Sequence, residues 1–235
     1  MGNPDSTDHS RLRAEYADRA RRFAGSDVYS PFNRANLFAV QGRQRAFLHA
    51  LRQHEVTDLR QTRILEMGCG DGGVLAEFLT FGASPQNLFG IDLLPDRLSA
   101  AKNKLPGSPL VNADGSRLPF PDSSFDLILQ FTALSSILDL SLRRDIARDM
   151  LRLLRPTGLI LSYDFWLNPT NRQTHGLRPV EIRELFPNCQ IAFQRITLAP
   201  PLARALIPIS WGLCYFLESL TIFNTHYLAS IHPMN

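Results

Sequence analysis

The sequence predicts an α/β fold, a doubly wound and mostly parallel sheet with helices on both faces. Three observations carry the prediction. Between residues 63 and 165, short and nearly continuous apolar runs alternate with segments of helical spacing. Such runs suit parallel strands covered on both faces, and strand–helix repetition with short links winds a sheet of this kind. A glycine turn, Gly68-Cys69-Gly70-Asp71-Gly72-Gly73, follows the first run. Glycine reaches positive φ cheaply and lets a ligand approach the backbone, and the helix that starts there offers unpaired N–H groups and a positive dipole end. The next two runs each end in an acid, Asp92 and Asp114.

At 235 residues and 44% hydrophobic, the chain can bury one sizeable core with embellishments. The expected division is an N-terminal tail and helical lid over 1–59 and a main domain over 60–235, with an apolar helical insertion at about 200–223. The net charge of +3 is mild. Arg11, Arg13, Arg19, Arg21 and Arg22 are mixed with Glu15, Asp18 and alanines. That mixture reads as a solvated helix rather than a nucleic-acid arm, which shows denser clusters with interleaved aromatics. Cys69, Cys189 and Cys214 lack metal-ligand spacing, and an odd number argues against a disulfide framework. A reducing, cytoplasmic setting is expected, and the polar N-terminus is unlike a signal peptide.

In chain order, residues 1–10 read as disordered and 11–24 as an arginine-rich helix broken at Gly25. Val28–Arg34 is an aromatic link. Asn33 is placed to cap a longer helix whose apolar positions are Leu37, Phe38, Val40, Phe47, Leu48 and Leu51. Strands follow at 63–67, 87–92, 110–113, 125–130 and 158–165, with helices at 74–80, 96–105 and 142–154. A polar loop at 168–176 leads to a short helix at 180–186, a strand at 190–198, the apolar stretch 200–223 and a last strand at 224–231. Leu206–Phe223 approaches the length of a membrane span, but Pro208 and Glu218 interrupt it and no basic stop follows. A helix packed on the sheet or a lid over a greasy substrate is expected there, with peripheral membrane contact left open.

The glycines alone fit several nucleotide sites. No Lys-Ser or Lys-Thr follows them, which excludes a triphosphate-binding loop, while Gly73 keeps a dinucleotide turn open. An acid at Asp92 suits ribose hydroxyls. Asp114 is placed to accept from an adenine amino group. With these residues, and with Leu118-Pro119-Phe120-Pro121-Asp122-Ser123-Ser124-Phe125-Asp126 ahead of the fourth strand, the chain resembles the class I S-adenosylmethionine-dependent methyltransferases, in their small-molecule, type 11-like group. The resemblance covers about 60–186. It implies a seven-stranded, Rossmann-like sheet with a reversed final hairpin, S-adenosylmethionine as cofactor and S-adenosylhomocysteine as product. It implies that Glu66 lies beneath the methionine part, with Gly68, Cys69 and Gly70 lining it. Asp92 would hold the ribose, Leu93 would pack on adenine, Asp114 and the Gly115 N–H would meet the adenine edge, and Gln130 would face the methyl end.

Methyl transfer requires an aligned nucleophile and, for a hydroxyl, a base. Asp164 is the first candidate base, with Tyr163 beside it and His175 in the following loop. Tyr29 and Arg34 are candidate lid residues, Arg34 for the methionine carboxylate. Trp166, Phe32, Phe131, Phe165 and Trp211 suggest a water-poor pocket, and Asn168, Thr170, Asn171, Arg172 and Gln173 supply hydrogen-bond donors. No Asn-Pro-Pro-Tyr motif is present, which argues against nucleic-acid or protein-glutamine substrates. The reading is O-methylation of a small hydroxyl or carboxyl acceptor (a natural product, sugar or lipid-linked molecule) without a metal. N- or C-methylation and a non-catalytic scaffold that binds S-adenosylmethionine stay as alternatives.

Overall fold

A computed structural model describes residues 7–167 and 173–234. The expected disorder of residues 1–6 and the donor-rich loop residues 168–172 lie outside the described residues. From Thr7 the chain is already helical, so disorder does not extend to residue 10.

Helices α1 (Thr7–Arg22) and α2 (Arg34–Gln53) come first. The Asn33 side chain accepts from the N–H groups of Ala35 and Asn36 at the start of α2, satisfying two donors that the helix cannot. The α/β part then runs β1 (Ile64–Met67), α3 (Gly73–Thr80), β2 (Leu88–Asp92), α4 (Pro95–Lys104), β3 (Leu110–Asn112), β4 (Phe125–Phe131), α5 (Leu140–Leu153) and β5 (Leu154–Phe165). It closes with α6 (Pro179–Leu185), β6 (Cys189–Leu198), α7 (Pro200–Leu206), α8 (Trp211–Ser219) and β7 (Asn224–Pro233). The sheet has seven strands in the order β3-β2-β1-β4-β5-β7-β6. β7 runs antiparallel to both β5 and β6, and the other pairings are parallel. The apolar stretch 200–223 is two short helices joined by a turn. Among the described residues, no helix is long and apolar enough to cross a membrane.

Burial on both faces explains the unbroken apolar strands. On one face, Phe47, Ala50 and Leu51 of α2 and Leu75 and Phe78 of α3 pack on Ile64, Leu127, Leu129, Leu159 and Leu161. On the other, Ile146, Ala147, Met150 and Leu153 of α5 pack on Leu65, Met67, Ile128 and Ile160. Leu12 of α1 joins that second face. Phe38 at the start of α2 instead anchors a separate cluster with Leu198, Ala203, Ile207 and Cys214.

The loop between β3 and β4 is pinned by charge. Arg152 of α5 bonds Asp149 at 2.6 Å and Asp122 at 2.7 Å, and donates to the carbonyls of Phe120 at 2.9 Å and Leu118 at 3.1 Å. Asp149 in turn accepts from the Leu118 N–H at 2.8 Å. Asp126 is structural: it accepts from the Arg63 N–H at 2.8 Å and pairs with Arg155. Because Arg152 joins four acceptors, Arg152→Ala is expected to cost about 1–3 kcal/mol in chemical denaturation, the range for lost hydrogen bonds to a charged group. Hydrogen exchange should quicken first at the N–H of Leu118.

Candidate functional site

A cavity of about 840 Å³, counted with its open mouth, lies at the carboxyl ends of β1, β2 and β4. Strand order reverses at β1, the position where ligands bind in doubly wound sheets.

The glycine turn makes one wall. Gly68 and Gly70 have φ of 70° and 56°. A Cβ on Gly68 would stand 2.7 Å from the Ala133 Cβ, and one on Gly70 would meet the Arg97 guanidinium. Asp92 is buried and holds the turn from the end of β2. One of its oxygens accepts from the Gly70 N–H at 2.8 Å and the other from the Leu94 N–H at 2.9 Å. The guanidinium of Arg97 lies 3.8 Å from Asp92 and 4.6 Å from the centre of the Tyr16 ring.

Of the residues expected at the cofactor, Gly68, Asp92, Leu93, Asp114, Gly115 and Gln130 line this cavity. Asp114 is exposed, and one of its oxygens accepts from the Ser116 N–H at 2.9 Å and hydroxyl at 2.8 Å. Glu66 and Cys69 stand beneath the turn on the α2 and α3 side. Burial pushes the Glu66 carboxyl well above the usual range, against the pull of Arg43, and its Oε2 is buried without a hydrogen-bond partner. The Cys69 side chain is a correction. It packs into the core rather than lining the cavity, and burial, with Glu66 and Asp92 nearby, pushes its thiol up. That makes it a poor nucleophile.

Gln130 is fully buried and fixed at both ends of its amide. Its Nε2 donates to Asp164 at 3.1 Å, and its Oε1 accepts from the Ser162 hydroxyl at 2.6 Å. Asp164 also accepts from the N–H groups of Ser135 at 3.1 Å and Phe165 at 3.0 Å. It is 1% exposed and stands behind Gln130, outside the cavity lining. Burial pushes its carboxyl up to about 6, opposed by these hydrogen bonds.

The other candidates are not brought to the cavity. Tyr163 lies on the opposite face of β5 from Asp164, since successive side chains of a strand alternate. It bonds Thr197 at 2.9 Å and stacks on His226 with ring centroids 4.7 Å apart. Burial pushes Tyr163 up to about 12 and His226 down to about 4. Trp166 donates to the Asn224 carbonyl at 3.1 Å and carries Arg195 over its ring. His175 pairs with Glu181 at 2.7 Å, near the start of α6. Tyr29 accepts from Arg19 at 2.6 Å and is 57% exposed, and Arg34 is exposed at the first position of α2. Neither lines the cavity.

The covering helix is α1, whose charges read as a solvated helix and which lies within the 1–59 span expected to hold a helical lid. Leu12 and Tyr16 line the cavity, and Arg11 donates to the Ser136 carbonyl at 2.6 Å. Their spacing of four puts both on one helix face and was the available signal. Thr132 and Ala133 were also missed. Thr132 holds φ of 54°, a costly conformation for a β-branched residue, at the exit of β4.

Residues 65–162 match the family described as "Methyltransferase domain". Over 116 residues the chain is 37% identical to phthiotriol/phenolphthiotriol dimycocerosates methyltransferase 1 of Mycobacterium ulcerans, covering 48% of this chain and 41% of that protein. It is 34% identical over 110 residues to a fatty-acid O-methyltransferase of Mycolicibacterium smegmatis, covering 46% and 38%. The chain thus spans about two fifths of the length of these curated relatives. Among solved structures, an S-adenosylmethionine-dependent methyltransferase from Mesorhizobium loti superposes with a TM-score of 0.57 at 21% identity, over 79% of this chain and 97% of that one. At that identity the likeness concerns the fold.

Asp164 also sets a pH dependence. The folded state holds its proton up to about pH 6, whereas the unfolded chain releases it near 3.8. Its stabilising contribution is therefore complete below pH 4 and is lost as pH rises to 6 and beyond, by roughly 2–3 kcal/mol. Urea unfolding at pH 4 and pH 7 should show a shallower loss in Asp164→Asn than in the native chain, and equal losses would refute it.

Proposed function

We propose that this chain, whose residues 65–162 match a methyltransferase domain, is a class I S-adenosylmethionine-dependent methyltransferase that methylates an oxygen of a hydrophobic or lipid-linked acceptor. The observation that carries this reading is the sequence of groups along one cavity: the glycine turn, then Asp92, then Asp114. Their order suits a methionine part, a ribose and an adenine in turn. The fit is physical. The Asp92 oxygens each accept one backbone N–H and keep a lone pair for a ribose hydroxyl. A Cβ on Gly68 would close the turn against Ala133. Glu66 Oε2 is an unused acceptor beneath the amino-acid end. Leu93 supplies an apolar surface for adenine, and Asp114 with the Gly115 N–H supplies an acceptor and a donor for its edge.

When bound, the cofactor supplies a sulfonium-activated methyl group. The chain's own residues align the acceptor and exclude water. Gln130, locked between Asp164 and Ser162, presents a fixed amide at the methyl end. Asp164 is then a positioning residue, acting through Gln130. Gln130, Phe131, Thr132, Ala133, Ser136 and Ile137 line this end, and none is a base at neutral pH. A hydroxyl needs a base and a carboxylate does not, so an already ionised carboxylate is the favoured acceptor. The fatty-acid O-methyltransferase among the relatives agrees with that chemistry.

Titration calorimetry is expected to show S-adenosylmethionine binding, weakened by roughly 1–3 kcal/mol in Asp92→Ala, the scale of lost charged hydrogen bonds. With labelled cofactor, a long-chain fatty acid should accept methyl faster than the matching alcohol. Absence of cofactor binding would sink the reading, and preference for the alcohol would reassign the acceptor to a hydroxyl.

A further inference from the structure

The helices between β6 and β7 place an unusual surface on the same edge of the sheet as the cavity. β6 and β5 are both antiparallel to β7, so they run in the same direction. The β6–β7 connection therefore leaves the sheet at the carboxyl edge, where the glycine turn lies. The start of α2 lies there too: Phe38 packs edge-on to Trp211 and Tyr215 of α8, with centroids 5.4 and 5.3 Å away.

α8 turns an uncharged, apolar side to solvent. Its inner side carries Cys214, which is fully buried, and Glu218, which turns toward Arg45 at 3.6 Å. Its outer side carries Leu213 and Phe216, spaced three apart, continued by Leu220 just past its end, and is uncharged. Phe216 is 59% exposed, and the flanking Ile209 and Ile222 are 76% and 63% exposed. Phe32, just before α2, is 93% exposed. A short helix with an apolar side toward solvent has an unmet partner.

The charge around this face names the partner. At this end of α2, residues 28–42 contain Arg34 and no acid. From residue 185 to the end of the sequence, Glu218 stands alone against Arg195 and Arg204. Arg34 and Arg204 are exposed, and neither is paired with an acid among the described residues. Apolar side chains of this size beside unpaired arginines match an interfacial surface, where the chains enter the acyl boundary and the guanidinium groups meet anionic headgroups.

We propose that the α7–α8 hairpin, with Phe32, docks on an anionic lipid bilayer. This sets the carboxyl edge of the sheet toward the membrane, so that an acceptor could pass to the site without crossing bulk water. The proposal concerns where the protein sits and stands apart from the identity of the acceptor.

The test is cosedimentation with vesicles of phosphatidylcholine alone and of phosphatidylcholine with phosphatidylglycerol in a two-to-one ratio. S-adenosylmethionine affinity is measured in parallel. The native chain should bind the anionic vesicles more tightly, and less so as salt rises. Phe216→Ser combined with Ile222→Ser should weaken that binding at least roughly tenfold with unchanged cofactor affinity. Arg204→Glu should reduce binding to the anionic vesicles alone. No binding by native chain, or full binding by the double serine variant, would overturn the proposal. So would a native dimer in light scattering that the double variant converts to a monomer, since the face would then belong to a second copy. Vesicle binding without cofactor binding would leave the docking intact and refute the methyltransferase reading instead.

Discussion

One carboxylate holds the site in shape. Asp92 bridges the Gly70 N–H at 2.8 Å and the Leu94 N–H at 2.9 Å, so the first glycine turn and the exit of the second strand become one unit. Both turns are irregular backbone at the edge of a buried sheet, where unpaired N–H groups would be costly. The acid satisfies them and, through the same two oxygens, still faces the cavity. The Cys69 N–H, bonded to the Ile91 carbonyl at 2.8 Å, continues the attachment. Everything else that shapes the pocket is built outward from this bridge. The Asp114 loop is held at a distance by Arg152, and Gln130 is held from behind by Asp164.

The arrangement divides labour between the two faces of the sheet. Glu66, Phe131 and Tyr163 look toward α2 and α3, where Arg43 pairs with Glu77 and lies 5.9 Å from the centre of the Tyr163 ring. Gln130 and Asp164 look the other way, toward α5 and the Ser135 turn. The first side holds the buried Glu66 carboxyl beneath the turn, kept toward its neutral form by burial. The second carries a neutral amide clamped by neighbours, a rigid group suited to orienting a reacting atom.

Much of the fold was legible because strands buried on both faces leave unbroken apolar runs, and helices between them keep their spacing. The glycine turn and the two acids were legible for a related reason: each must sit at a strand end, and a strand end can be counted. Residues outside that frame were harder. Tyr29 and Arg34 lie near the cavity in sequence-order logic only. The helix that covers it, α1, is so rich in arginine that Leu12 and Tyr16 were hidden among charged neighbours. Tyr163 and Asp164 were read as one pair, yet they face opposite sides of β5, and neither is in the cavity lining. Cys69 was placed in the cradle by its neighbours, but the turn directs its side chain into the core.

The way α1 lies over the cavity separates its cover from its floor. Leu12 is buried, but Arg11, Tyr16 and Arg97 secure the helix through a carbonyl, a hydroxyl at 3.4 Å and a ring face. The groups that would hold a ligand belong to the rigid sheet edge, whereas the groups that shut it in belong to one helix joined to the rest by the Gly25 turn. The cover and the floor of the cavity are therefore written in different parts of the chain, and a substitution on the cavity side of α1 reshapes the cover while leaving the Asp92 bridge at the sheet edge untouched.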